Sequence, residues 1–569
     1  MRVFTRFCGL TWIALSHSLA ALLWQSPSMA QTKPSAGSLF QQIEREQHLP
    51  QLPELPRAPQ WAGAAPLVPT QPSGGPTVVV QAFSFTGNTV FSGEQLGAVL
   101  TPLRGRALDF AQLQQAAGAV ADFYRREGWL VQAFLPEQDV VDGVVNIAVR
   151  EAVFGRTQVL DRASAHSALP RIERIISHAQ ATGGLVHLRA IERALLLADD
   201  LPGVVVSGDL SPGAAGGQTD LVLRLADEPT VSGSIAVDNT ASVSTGAEQW
   251  IAALHLHSPT GQGDEARLDA SKSEGSRYLR LAYSVPLGDD GVRIAFNASG
   301  LDYALVAGGF QDGNFNGSST STGLELSYPW VRSHSRNLWA SLGADWKRFL
   351  NRAAGSIQTD YANAPWTLGL NGDLLDVLGG GARTAFSLAV SAGRVSPSGD
   401  AAVPQAGATY TKLRYALSRE QQIAPQISAY GAWSGQWSAD ALDASENFYL
   451  GGANGVRAYP SGEGGGPVGQ LLSLELRWQM PNGLQCTGFY DYGLVAPKNQ
   501  DGVSDAAVAG AYALKGAGLA LAWRPSPGLA LQATYAHRDG ENPNALQGLR
   551  DQDGTLVRDR LWLSAAFTF

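Results

Sequence analysis

The chain has 569 residues; 44% are hydrophobic and only 16% charged, with 64 Gly, 14 Trp, 15 Tyr and 19 Phe. Disorder requires high charge and few aromatics, and a helical membrane protein requires apolar runs of about 18 residues, which are absent beyond the first 30 positions. The net charge of -9, with no basic cluster, excludes nucleic acid as a partner. A large β-structure remains, with lipid as a candidate surrounding.

Met1 to Ala30 reads as a secretory signal peptide. Arg2 and Arg6 form the positive region, an apolar stretch runs from Phe7 to about Leu23, and Ser28-Met29-Ala30 supplies the cleavage site. Without it, 39 basic and 50 acidic side chains leave a net -11. Cys8 is removed with the leader, so the mature chain keeps Cys486 and has no intramolecular disulfide. Within residues 31–50, Gly37 to His48 forms a short helix. Ser38 is its expected cap, and Leu39, Ile43 and Gln47 share one face. From Pro50 to Pro76 repeated prolines remove donors and fix φ, giving an extended linker over 51–76.

Two repeats follow, at 77–151 and 152–228, each in the order β-α-α-β-β. In the first, strand Val78–Phe85 precedes a helix over Ser92–Leu100 and a longer one over Asp109–Glu127. The apolar stripe of the longer helix is Phe110, Leu113, Ala117, Val120 and Tyr124, and strands Leu130–Leu135 and Val144–Val149 close the unit. The second has strand Phe154–Leu160, helices Leu169–Gln180 and Leu188–Asp199, and strands Val204–Leu210 and Thr219–Leu225. Small mixed domains with an open strand edge suit capture of extended chain by strand addition.

From residue 229 to 569 the helical period gives way to alternation. Leu279, Leu281, Tyr283 and Val285 share a face; so do Leu472, Leu474, Leu476 and Trp478; so do Leu561, Leu563, Ala565, Phe567 and Phe569. At about 20 residues per strand and connection this stretch holds ~16 strands, and an even number is the rule for a transmembrane β-barrel. On the strand over Leu484–Leu494, alternation sets Gln485, Thr487, Phe489 and Asp491 toward the lumen, opposite Leu484, Cys486, Tyr490 and Tyr492.

Val456-Arg457-Ala458-Tyr459, in the Gly-rich loop GGANGVRAYPSGEGGG (451–466), precedes a strand over Gln470–Met480, and Phe489-Tyr490-Asp491 lies on the next one. These segments resemble the VRGY tetrad and F-x-D motif of two-partner secretion transporters of the TpsB type, the ShlB/FhaC/HecB family of the POTRA-plus-barrel superfamily. Ala458 stands where that pattern has Gly. The resemblance spans nearly the whole mature chain. It implies a plug-like helix carrying Leu39 and Ile43, two POTRA-like domains in the periplasm, and an outer-membrane barrel of ~16 antiparallel strands. It implies a loop tip of Val456, Arg457, Ala458 and Tyr459 anchored on Phe489 and Asp491, where an Arg–carboxylate contact is bidentate.

The implied function is recognition of an unfolded TpsA-type exoprotein, of the adhesin, haemagglutinin or haemolysin class, and its translocation to the cell surface. Outer-membrane lipid surrounds the barrel, and periplasmic chaperones are compatible partners. The alternatives are a BamA-like barrel-insertion factor, against which two repeats, the helix and the linker argue, and a passive porin or receptor, which needs no POTRA-like domains. Catalysis is not expected: there is no H-E-x-x-H and no G-x-S-x-G. Gly464, Gly466 and Gly469 match G-x-G-x-x-G but open a strand, so no nucleotide cofactor is implied. His255 and His257 share a strand face without a third ligand nearby, so no metal site is expected.

Overall fold

The computed structural model describes residues 34–47, 76–160, 168–308, 311–398, 409–496, 510–543, 545, 551–555 and 557–569. The leader and nearly all of the Pro-rich stretch lie outside them. Helix α1 spans Ala36–Gln47. Ser35, not Ser38, caps it: Ser38 N donates to Ser35 Oγ at 3.3 Å and Ser35 N donates to Ser38 Oγ at 2.9 Å, a reciprocal capping pair. Leu39 and Phe40 are buried and Ile43 packs beside them, while the Gln47 side chain lies outside the described residues.

The first small domain runs β1 (Val78–Val79), β2 (Ala82–Thr86), α2 (Gly93–Val99), β3 (Ala107–Leu108), α3 (Phe110–Arg126), β4 (Val131–Phe134) and β5 (Val144–Glu151). Its main sheet has the order β2-β5-β4, with β2 and β5 parallel. Capping boxes start both helices, Ser92 with Gln95 and Asp109 with Gln112. Leu113, Ala117, Val120 and Tyr124 form the buried stripe. Phe110 departs from the expected stripe and is 50% exposed, because it sits in the first turn beyond the sheet's cover.

The second domain repeats the topology with β6 (Val153–Val159), α4 (Leu169–Ala179), α5 (Leu188–Asp199), β7 (Val204–Pro212) and β8 (Gln218–Asp227). Its sheet order is β6-β8-β7, again with the first and last strands parallel. Each domain closes its own core, one around Ile147 and Tyr124, the other around Ile176, Ile191 and Leu221.

The remaining chain is a closed barrel of sixteen strands. Its first half is β9 (Val231–Asp238), β10 (Gln249–His257), β11 (Glu265–Ser273), β12 (Ser276–Leu287), β13 (Val292–Ala304), β14 (Asn316–Arg332), β15 (Arg336–Ala353) and β16 (Ser356–Asp376). The second half begins with β17 (Ala382–Pro397), β18 (Thr409–Ala424) and β19 (Ile427–Trp437). After a long loop containing β20 (Phe448–Tyr449) and β21 (Gly465–Gly466) come β22 (Val468–Gln479), β23 (Leu484–Ala496), β24 (Tyr512–Ser526), β25 (Leu529–Arg538) and β26 (Asp559–Thr568). β26 pairs with β9 to close the ring.

Alternation decides the two faces. Leu281, Trp478 and Phe567 point outward and are 54%, 50% and 51% exposed, an apolar exterior that only lipid satisfies. Polar positions turn inward. Because α5 docks beside the turns joining β12 to β13 and β14 to β15, the small domains mark one end of the barrel. Arg193 Nη1 donates to Pro329 O at 2.7 Å, His334 N donates to Glu192 Oε1 at 3.0 Å, and Arg332 meets Asp200 through Nε and Nη2 at 2.8 and 2.6 Å.

Candidate functional site

The loop over 438–467 leaves β19 at the end far from the small domains and folds back into the lumen. Its hairpin is built from backbone bonds: Val456 N donates to Leu450 O at 2.7 Å and Gly452 N to Tyr459 O at 3.1 Å. Val456, Ala458 and Tyr459 are fully buried among Leu450, Leu471, Phe489, Val495 and Leu514. Glycines in the wall make this approach possible. A Cβ on Gly516 would lie 2.5 Å from Ala458 Cβ, and one on Gly493 would lie 2.9 Å from Val456 Cγ2. Ala458 is not among the positive-φ residues, so its backbone does not require the Gly of the family pattern.

Arg457 and Asp491 meet as the alternation on β23 predicts. Arg457 donates to Asp491 through its backbone N (3.1 Å), Nε (2.8 Å) and Nη2 (2.8 Å). Asp491 is 0% exposed. Nη1 also reaches Glu475 Oε1 and Nη2 reaches Ser473 Oγ, each at 2.9 Å, so four of the five guanidinium N–H groups have acceptors. Phe489 lies beneath the guanidinium, with Cζ 3.5 Å from the ring centre, a cation–π contact. Trp562 Nε1 donates to Arg457 O at 2.8 Å from the opposite side. Glu475, Ser473 and Trp562 are absent from the sequence-level site. Ser473 and Glu475 lie opposite the apolar face of β22, so the same alternation marks them.

The ascending limb of the loop holds a second charged centre. Glu446 is buried, accepting from Lys347 Nζ at 3.0 Å, Asn363 Nδ2 at 2.8 Å and Lys412 Nζ. Tyr361 Oη donates to Asp443 at 2.9 Å.

Helix α1 sits inside the barrel against this limb and the wall. Leu39 and Phe40 pack among Tyr278, Tyr303, Phe349 and Tyr361, all lumen-facing. Ala36 N donates to Asn351 Oδ1 at 2.8 Å. Glu44 accepts from Tyr278 Oη and from Arg280 Nη1 at 3.4 Å. Arg45 donates to Tyr449 O and lies 5.0 Å from the Phe448 ring centre, tying the helix to the loop. Sequence periodicity finds the apolar face of α1 but carries no sign of Glu44 or Arg45 as contacts.

His255 and His257 line the lumen, their ring centres 6.2 Å apart, with Glu265 and Ser232 as partners. Among the described residues no group of three or more His, Cys, Asp or Glu is arranged to hold a metal.

A sixteen-stranded lipid-facing barrel, plugged by its own helix and inner loop and preceded by two small α+β domains, defines an outer-membrane transporter with a periplasmic receptor end. The profile of the haemolysin secretion/activation protein family ShlB/FhaC/HecB matches residues 217–518, and that of the ShlB-type POTRA domain matches 78–152. The chain belongs to the ShlB/FhaC/HecB family. It is 26% identical over 500 residues to the heme/hemopexin transporter protein HuxB of Haemophilus influenzae, covering 84% of this chain and 87% of that one. With the outer membrane transporter CdiB of Escherichia coli it shares 24% identity over 454 residues, 71% of this chain and 70% of the other.

Among solved structures, CdiB from Escherichia coli superposes with a TM-score of 0.72 at 20% identity over 95% of this chain and 100% of that one. CdiB from Acinetobacter baumannii gives 0.64 at 17%, over 93% and 96%. The protein is thus a two-partner secretion transporter of the outer membrane with its POTRA domains in the periplasm, and transporters of this family work with secreted TpsA-type exoproteins.

Proposed function

We propose that the two POTRA domains capture the unfolded secretion segment of one large exoprotein and that the barrel lumen conducts the chain outward after α1 and the inner loop withdraw. The observation that carries this reading is the double occupancy of the lumen by segments fixed through side chains rather than by strand pairing with the wall. Residues 48–75, which join α1 to the first small domain and include Pro50, Pro53, Pro56, Pro59, Pro66, Pro69 and Pro72, lie outside the described residues. Outer strands β2 and β4 of the first sheet and β6 and β7 of the second offer edges for strand addition.

The residues of the inner loop bind and position, and transport needs no catalytic step from them. The lipid contacts are those of the outward apolar face, and periplasmic chaperones deliver the exoprotein to the POTRA end. Co-expression with a cognate TpsA-type exoprotein tests the reading. The exoprotein appears in the medium when the transporter is present and stays in the periplasm when it is absent. Equal release without the transporter contradicts it.

A further inference from the structure

The closing seam of the barrel is short. β26 and β9 pair at five strand positions, from Thr568 with Ser234 to Ser564 with Asp238, and Gly233 and Phe569 add a reciprocal backbone pair at the periplasmic end, whereas β25 pairs with β26 at nine positions and β10 with β9 at eight. Toward the extracellular end, Asp559 to Trp562 of β26 extend past the last paired residue of β9. There the backbone ladder ends on a single bond, Asn239 N to Leu563 O at 3.2 Å, and the Asn239 side chain takes over, donating to Leu561 O at 2.9 Å and accepting from Leu563 N at 2.8 Å.

The descending limb of the inner loop crosses this gap from inside. Ser461 Oγ donates to Thr240 O at 2.7 Å, on the loop after β9. Two residues on, buried Glu463 accepts from Asn542 Nδ2 at 2.9 Å and Gln552 N at 2.8 Å, both on the loop between β25 and β26. That loop is itself locked: Asp551 accepts from Asn542 Nδ2 at 2.9 Å and meets Arg538 and Arg560, and Arg560 meets Asp553 at 2.8 Å. Arg538 lies over the Tyr459 ring, 4.4 Å from its centre. One short stretch of the loop therefore holds the chain on both sides of the seam, through a network in which Glu463, Asp551 and Arg538 are all buried.

We propose that Ser461 and Glu463 staple the β9–β26 seam at its extracellular end, so that withdrawal of the inner loop weakens the seam where its ladder is missing. They are positioning residues: they touch no transported chain in the resting state and act through the ends of the barrel. A buried carboxylate facing two donors loses its match when it becomes an amide, because one donor then meets another.

The test uses the full chain with Cys486→Ala and reads the temperature at which the barrel loses its folded mobility on gels. Glu463→Gln lowers that temperature by several degrees, and Ser461→Ala lowers it less. A disulfide across the seam, from Ala236→Cys and Ala566→Cys at paired lumen-facing positions, restores most of the loss until reductant is added. A control disulfide between β13 and β14, from Ser299→Cys and Ser321→Cys, restores none. The proposal is overturned if Glu463→Gln leaves the temperature unchanged, or if the control disulfide rescues as well as the seam disulfide. Should Glu463→Gln fail to assemble, Ser461→Ala is judged by the same two criteria.

Discussion

Arg457 holds Asp491 through three separate donors, one from its backbone and two from its guanidinium, inside a barrel wall where Asp491 has no exposed surface. The contact joins a loop that enters from outside to a strand that spans the membrane. Removing either side chain leaves the other's charge in a partly desolvated lumen, a cost of about 2–5 kcal/mol. Arg457→Ala and Asp491→Ala each reduce secretion sharply at matched barrel levels, and the double variant adds little because each alone frees the loop. Arg457→Lys also fails, since an ammonium cannot reproduce the fork that reaches Asp491, Glu475 and Ser473 together. The measurement is exoprotein in the medium.

Phe489→Ala acts in the same direction but more weakly. It removes the ring under the guanidinium, a contact worth about 0.5–2 kcal/mol, while leaving the carboxylates in place. Secretion falls to a level between the wild type and Arg457→Ala.

Deleting residues 36–47 empties the part of the lumen lined by Tyr278, Tyr303 and Phe349. Single-channel conductance in planar bilayers rises. Glu44→Gln gives intermediate behaviour, with more frequent openings, because it weakens the contacts to Tyr278 and Arg280 without removing the helix.

Glu151 ends β5 of the first POTRA domain. Burial opposes its ionisation, but hydrogen bonds from Thr89, Val90 and Tyr124 outweigh that effect and hold its carboxyl below the ordinary 4.5. A carboxyl whose folded value lies below its unfolded value stabilises above the unfolded value, and that stability is lost as pH falls through the folded one. Glu151→Gln therefore destabilises the fragment 76–228, which carries both POTRA cores, by about 1–3 kcal/mol at pH 7. The difference from wild type shrinks at pH 3. Urea unfolding at the two pH values checks it.

The barrel and its inward face were legible because a period of two is imposed by every strand alike. Leu472 to Trp478 and Gln485 to Asp491 follow it without exception. The Arg457–Asp491 contact was legible only with the motif resemblance, since alternation aims Asp491 inward but cannot bring a loop to it. Glu446 with Lys347 and Lys412 was not legible: these residues lie 99 and 34 positions apart, and only barrel closure brings them together. The cap of α1 lies at Ser35, three residues before the expected Ser38, because the two serines are equivalent by type. Backbone geometry alone separates them.

The central claim is that an exoprotein passes through the lumen now filled by α1 and the inner loop. A photo-crosslinking side chain at Thr487, which faces the lumen on β23, meets that path, whereas one at Leu476 on β22 faces lipid. The measurement is light-dependent crosslinking to an exoprotein stalled during export by a folded, disulfide-closed domain at its C-terminus. Crosslinks at Thr487 and none at Leu476 are the predicted result; secretion that proceeds with no crosslink at Thr487, or with equal crosslinking at both positions, contradicts it.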